Sequence, residues 1–313
     1  MIFSYPQNPQ EKRRIDFFEL ENEMQNNLTA LVEKTKEYYN TQLNNTVDLI
    51  IKDRSKIVLL SGPSGSGKTT TAKKIAIALE ERGKKAHVIS IDDFFVGKGN
   101  YPLLPDGTED FESVYSLDLN LFKNTVTQIL TSTKVSLPRF DFATSSREDN
   151  AYSINLTDND IIIFEGIHAL NPLLLPNNHT SELFKLYVAV KGQVFKDGEK
   201  IFSSSNIRML RRMIRDNLFR NYPHVRTVRI WQNVVDGEEK WIYPFRDTAD
   251  AVIDTTHPYE LGLYKSILDK TPDLDGFDKE EEVVRDFANK LSIFPEISAQ
   301  VVPDDALIRE FIG

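Results

Sequence analysis

The chain contains no cysteine, which excludes disulfide frameworks, thiolate metal sites and cysteine nucleophiles together and points to a reducing compartment. No apolar run in its 313 residues reaches the length that spans a bilayer, and the opening residues 1–6 lead into mixed charges. The expectation is a cytoplasmic protein with no membrane partner. Basic residues are the minority. With 38 Lys and Arg against 47 Asp and Glu, the net charge is −9, so a general nucleic-acid surface is not expected. The five histidines show no pairing at zinc-ligand spacing, His168 included, and the chain has neither repeats nor a low-complexity tract.

What is present is organised around one stretch. An apolar segment, Ile57-Val58-Leu59-Leu60-Ser61, runs through Gly62, Pro63, Ser64, Gly65, Ser66 and Gly67 into Lys68, Thr69 and Thr70, the pattern G-x-x-x-x-G-K-T. Glycines let backbone N–H groups turn inward around an anion, the following helix offers unpaired amides and its positive dipole end, and Lys68 adds a mobile charge. Thr69 supplies a hydroxyl for magnesium. A dinucleotide fingerprint fits less well, because its third glycine is missing. The loop therefore favours a nucleoside triphosphate.

The remaining segments read as an alternation of strands and helices. Residues 11–52 carry apolar positions at helical spacing and predict one or two amphipathic helices packed beside the core, with a dimer or partner surface as the alternative. Residues 72–79 predict a helix ended by Gly83, and residues 86–91 a strand that ends at Asp92, where ligands of open parallel sheets bind. Residues 96–113 predict a long loop that shapes a substrate pocket. Asp118 caps a helix, and residues 134–137 form a short strand leading into a loop in which Phe140 and Phe142 are placed either to peg the core or to hold a flat ring. Residues 160–165 form a buried parallel strand ending in Glu165, the position of a magnesium-side acid. Further strands are expected at 186–190 and 251–254, and helices at 259–268 and in the tail.

Arg208, Arg211, Arg212, Arg215 and Arg220 crowd into one segment of an otherwise acidic chain. At helical spacing Arg208, Arg211 or Arg212, and Arg215 share a side, so their guanidinium groups are expected to converge as a lid over a transferring phosphate. A salt-bridged surface helix is the plainer alternative.

Five motifs in register carry a family resemblance: residues 62–69, 90–95, 137–142, 164–172 and 211–216. Together they resemble the uridine kinase and phosphoribulokinase family, and within it a bacterial uridine-kinase-like group. The likeness covers residues 56–268 and, more weakly, 303–313. It implies an α/β P-loop NTPase fold, a mostly parallel sheet flanked by helices with an arginine-rich helical lid, that uses ATP and Mg2+ to phosphorylate a nucleoside 5′-hydroxyl. By this resemblance Asp92 falls on the catalytic aspartate near magnesium, and Thr69 and Glu165 on the other metal-side positions. Glu112 falls where an aspartate holds the ribose hydroxyls, and Arg212, Arg215 and Arg220 fall in the substrate and lid region. Phe95, Phe140, Phe142 and Ser145 fall around the acceptor. The family typically has a tyrosine at the position of Phe140 and a base-reading histidine at that of Ser145, so base preference is expected to differ.

The expected organisation is an N-terminal helical extension (1–53), a kinase domain (54–270) and a helical tail (271–313). The expected partner is a small nucleoside, with no nucleic acid and no membrane, and with a homo-oligomer left open. Three rivals remain: a kinase of the same family acting on another alcohol, such as a sugar phosphate or pantothenate, a nucleotide-dependent switch that only hydrolyses, and a nucleic-acid-binding reading that rests on the arginine cluster alone.

Overall fold

The structure, a computed structural model, describes residues 10–176, 180–268 and 278–313. The opening residues 1–6 and the expected boundary at 270/271 lie outside the described residues. In chain order the elements are β1 (Arg13–Asp16), α1 (Phe17–Asn26), α2 (Leu28–Lys52), β2 (Ile57–Ser61), α3 (Lys68–Glu80) and β3 (Lys85–Ser90). They continue with α4 (Leu119–Thr131), β4 (Lys134–Asp141), β5 (Ser146–Asn155), β6 (Asp160–Glu165), β7 (Leu183–Ala189), β8 (Gly192–Lys196) and β9 (Glu199–Phe202). The last are α5 (Ser204–Arg220), α6 (His224–Trp241), β10 (Ala251–Asp254), α7 (Glu260–Leu268), α8 (Asp278–Ser292) and α9 (Arg309–Ile312).

The central sheet has the order β10-β7-β2-β6-β3 and every pairing in it is parallel. Its inner strands β2 and β6 are buried along their whole length and apolar on both faces because both faces are covered, whereas edge strand β3 is partly exposed. Along β2, Val58 and Leu60 join the core with α1, α2, α3 and α5, while Ile57 and Leu59 join a second core with α4. Ile161 and Ile163 of β6 follow the first set, and Ile162 and Phe164 the second. This is an α/β P-loop fold with helices on both sides of a parallel sheet.

Strand order places the site. The chain leaves β2 for the edge strand β3, returns to fill the gap with β6, then crosses to the other side at β7. The crevice at such a reversal, beyond the carboxyl ends of the strands, is where ligands sit in open α/β sheets. Leu60 of β2 is in register with Glu165 of β6, and Glu165 with Ser90 of β3. The phosphate loop, Glu165 and Asp92 thus leave neighbouring strands at one level.

Two expectations require correction. The strand expected at 134–137 runs to Asp141 and pairs antiparallel with β5, so residues 134–155 are a two-stranded hairpin outside the main sheet. The turn is set by Asp141, whose carboxylate accepts from Ala143 N at 2.8 Å and Thr144 Oγ1 at 2.9 Å, and Ser145 follows with φ 50°. The N-terminal segment is also more than helices. Strand β1 pairs with β8, which pairs with β9, in a small separate sheet. Buried Asp254, at the end of β10, ties this segment to the main sheet. It meets Arg13 at 3.2 Å and its backbone N–H donates to Gln42 at 2.8 Å; against the penalty of burial, the Arg13 guanidinium holds its carboxyl below the usual range.

Candidate active site

The loop between β2 and α3 is held from behind by its own carbonyls. Lys68 Nζ donates to Pro63 O at 3.1 Å, Arg208 Nη1 to Ser64 O at 2.9 Å, Arg211 Nη1 to Gly65 O at 3.3 Å and Thr255 Oγ1 to Ser66 O at 2.7 Å. With the carbonyls drawn outward, the N–H groups of Gly65, Gly67, Lys68 and Thr69 have no partner among the described residues. Gly67, at φ 84°, is the N-cap residue of α3, a left-handed conformation that costs glycine nothing. Gly62 must also be glycine, since a Cβ there would lie 2.1 Å from Val188 O. The result is a ring of unpaired amides at a helix N-terminus, which is an anion site.

Lys68, Thr69, Asp92, Glu112, Glu165, Arg212, Arg215 and Arg220 line one cleft of about 790 Å³. Thr69 Oγ1 lies 3.3 Å from Glu165 Oε1. Burial lowers the pKa of Lys68, opposed by the charges of Glu165 and Asp92. Burial raises the Asp92 carboxyl, with Lys68 opposing, and burial helped by the Asp92 charge pushes Glu165 up to about 7. Glu112 is likewise pushed up to about 7 by burial, against the pull of Arg212 at 3.9 Å. Acids crowded in a partly desolvated cleft are poised to gain from an added cation. Among the described residues no three acids or imidazoles form a protein cage for a metal. A magnesium ion shared with phosphate oxygens asks less of the protein, and the Thr69–Glu165 pair fits it.

A second cavity, of about 620 Å³, opens beside the cleft, and Phe95, Phe142, Arg212 and Arg220 line both. Of these two spaces, Phe140 and Ser145 line only the second. Phe140 is buried, its ring 5.1 Å from Phe142 and 5.5 Å from Phe95. Phe142 is 64% exposed, so its ring faces the opening. The hairpin carries Phe140 and Phe142, while Phe95 comes from the turn that follows β3.

The arginines separate into two groups. Ser203 caps α5 and Asn221, at φ 55°, ends it; between them Ile207, Leu210, Met213 and Ile214 root the helix in the core. Arg208 and Arg211 are buried and do not converge with the rest. Arg208 forms two hydrogen bonds to Glu238, at 2.6 and 2.7 Å, and Arg211 two to Glu260, at 2.6 and 2.9 Å. Glu238 in turn accepts from Ser64 N at 3.2 Å. Arg212, Arg215 and Arg220 face the cleft and share Asp216, at 3.4, 2.8 and 3.3 Å. Of the remaining loop residues, Pro63 and Ser66 are buried in the loop, while Ser64 Oγ accepts from Arg212 at 3.1 Å. Glu238, Glu260, Asp216 and Glu310 escaped the sequence reading; only Asp216, inside an arginine motif, carried a local signal. His168 is buried, and burial followed by the Lys68 charge lowers its pKa to about 3, so it is neutral.

Residues 57–260 match the Phosphoribulokinase / Uridine kinase family. The chain is 24% identical over 198 residues to a uridine kinase of Ureaplasma urealyticum, covering 63% of this chain and 86% of that one. It is 27% identical over 218 residues to a uridine kinase of Borrelia duttonii, covering 67% and 91%. A solved structure titled as a possible uridine kinase from Bacillus stearothermophilus superposes with a TM-score of 0.44 at 19% identity, over 68% of this chain and 99% of that one. The protein is a kinase of the phosphoribulokinase and uridine kinase family.

Proposed function

We propose that the protein transfers the γ-phosphoryl group of ATP to the 5′-hydroxyl of a nucleoside. The observation that supports this best is the continuity of two spaces, one lined by Lys68, Asp92 and Glu165 and the other walled by phenylalanines. The first suits a triphosphate and the second a flat base.

In this reading the loop amides and Lys68 hold the donor's phosphate chain. Magnesium, when bound, would screen charge between phosphate oxygens, with Thr69, Glu165 and Asp92 as the protein groups on its side. Asp92 accepts the proton of the acceptor hydroxyl. The acceptor oxygen forms its bond to the γ-phosphorus as the bond from phosphorus to the bridging oxygen breaks, and the electron pair leaves with ADP. Arg212, Arg215 and Arg220 balance the charge that spreads over the γ oxygens. Glu112 holds the ribose hydroxyls, while Phe95, Phe140 and Phe142 pack the base beside Ser145. We take residues 54–270 as the kinase domain, flanked by 1–53 and 271–313, and place the enzyme in the cytoplasm, where ATP and free nucleosides meet.

The test is a panel of nucleosides with ATP and Mg2+, read as 5′-monophosphate formed. Sugar phosphates belong in the same panel, because Arg226 and Arg229 also line the aromatic cavity and would suit an anionic acceptor. A nucleoside monophosphate is the expected product. Phosphorylation of a sugar phosphate alone, or hydrolysis indifferent to any acceptor, would overturn the assignment.

A further inference from the structure

The C-terminal segment reaches the phosphate loop, and one carboxylate from it already occupies part of the anion site. In α3, Thr71 N is bonded to Gly67 O at 3.0 Å, so the N–H of Thr70 is the last of the first-turn amides without a helical partner. It donates to Glu310 Oε2 at 3.1 Å. Glu310 lines the same cleft as Lys68 and Thr69.

The backbone that presents Glu310 is fixed. Leu307, Ile308 and Phe311 are buried, and the Arg211 guanidinium lies 5.0 Å from the Phe311 ring centre. Leu307 packs so closely on the loop that a Cβ on Gly67 would come within 2.8 Å of its Cδ1. Upstream, Asp305 meets Lys36 at 3.1 Å and Lys74 at 3.5 Å. The side chain of Glu310 is therefore the part free to turn away, while the segment stays.

One amide cannot serve a carboxylate and a phosphate at once, and like charges at that distance repel. The cleft already holds Asp92, Glu112 and Glu165, and the charge of Glu310 acts on Lys68 and Glu165 as well. We propose that Glu310 is a resident anion of the donor site, which the donor's phosphate chain must displace from Thr70 N, so that the C-terminal segment sets donor affinity. This rests on the reading of the cleft as a donor site.

The test is direct binding of Mg-ATP, and of tripolyphosphate, which has neither sugar nor base, to the full chain. Wild type, Glu310→Gln, Glu310→Ala and Lys68→Ala are compared. Glutamine keeps an oxygen acceptor for the amide and removes only the charge, and alanine provides a second variant in which charge and acceptor are both lost. Glu310→Gln is expected to bind both ligands about three- to tenfold more tightly than wild type. Unchanged or weaker binding of both would overturn the proposal. Weaker ATP with unchanged tripolyphosphate would also overturn it, by making Glu310 a contact to the donor's sugar, while the donor reading stands. Absence of ATP binding in every variant, or full ATP binding in Lys68→Ala, would remove the donor reading itself and the proposal with it.

Discussion

On α5, Arg208 and Arg211 point into the core, and Arg212, Arg215 and Arg220 point to the cleft, although Arg211 and Arg212 are neighbours in sequence. The first pair is buried, each guanidinium matched to one carboxylate and to a carbonyl of the phosphate loop. The second group has one shared acid, Asp216, for all its members, and its side chains range from 15% to 56% exposed. Identical chemistry thus divides by position: charge spent on a single buried partner builds the loop, and charge left in excess at the cleft remains available to a phosphate. Breaking a buried pair costs more than the pair gained, because the surviving carboxylate stays desolvated.

The largest effect is expected at Arg211. Arg211→Ala strands Glu260 and should destabilise the protein by about 3–5 kcal/mol in urea unfolding, while Arg211→Met combined with Glu260→Leu should recover much of the loss. A silent Arg211→Ala would break the division. Next comes Arg215→Ala, where turnover should fall by about 10²–10³ and stability change by less than about 1 kcal/mol. A large loss of stability with little loss of turnover would make Arg215 part of the scaffold.

The acids repeat the contrast. Glu260 is committed to Arg211, whereas Glu165 faces Lys68 and Asp92, and its pKa is raised to about 7, first by burial and then by the Asp92 charge. The folded state therefore holds this proton more tightly than the unfolded chain. The stability it contributes is complete below about pH 4.5 and is lost as pH rises through 7. Measured from pH 4.5 to 8, wild type should lose on the order of 2 kcal/mol relative to Glu165→Gln. A difference that stays flat with pH would contradict the cause assigned to the shift.

How far the sequence carried these features depends on how local their signals are. Strands β2 and β6 are continuous apolar runs bounded by a glycine loop and a carboxylate, so both their existence and the polarity of their ends were legible. Asp92, Glu165 and Lys68 could be named for that reason, and the structure places them in one cleft. Strand β5 was hard to read, because Ser146–Asn155 lies mostly exposed and its apolar alternation is confined to its end, at Tyr152 and Ile154; the Asp141–Thr144 turn was its other signal. Strand β1 is four residues long, and all but Ile15 are charged. The partition of the arginines was hidden for a different reason. It depends on Glu238 and Glu260, 30 and 49 residues away in the chain, and helical spacing alone cannot tell which guanidinium meets a buried acid. Glu310 lies 240 residues from the amide it caps.

The central claim is that Asp92 acts on the acceptor hydroxyl in the same cleft where Lys68 and the loop amides hold the donor. Its most direct test is Asp92→Asn, with turnover and Mg-ATP affinity measured on the same preparation. Turnover should fall by about three orders of magnitude or more, while ATP affinity stays within about threefold of wild type. Near-normal turnover, or loss of ATP binding in step with activity, would contradict it.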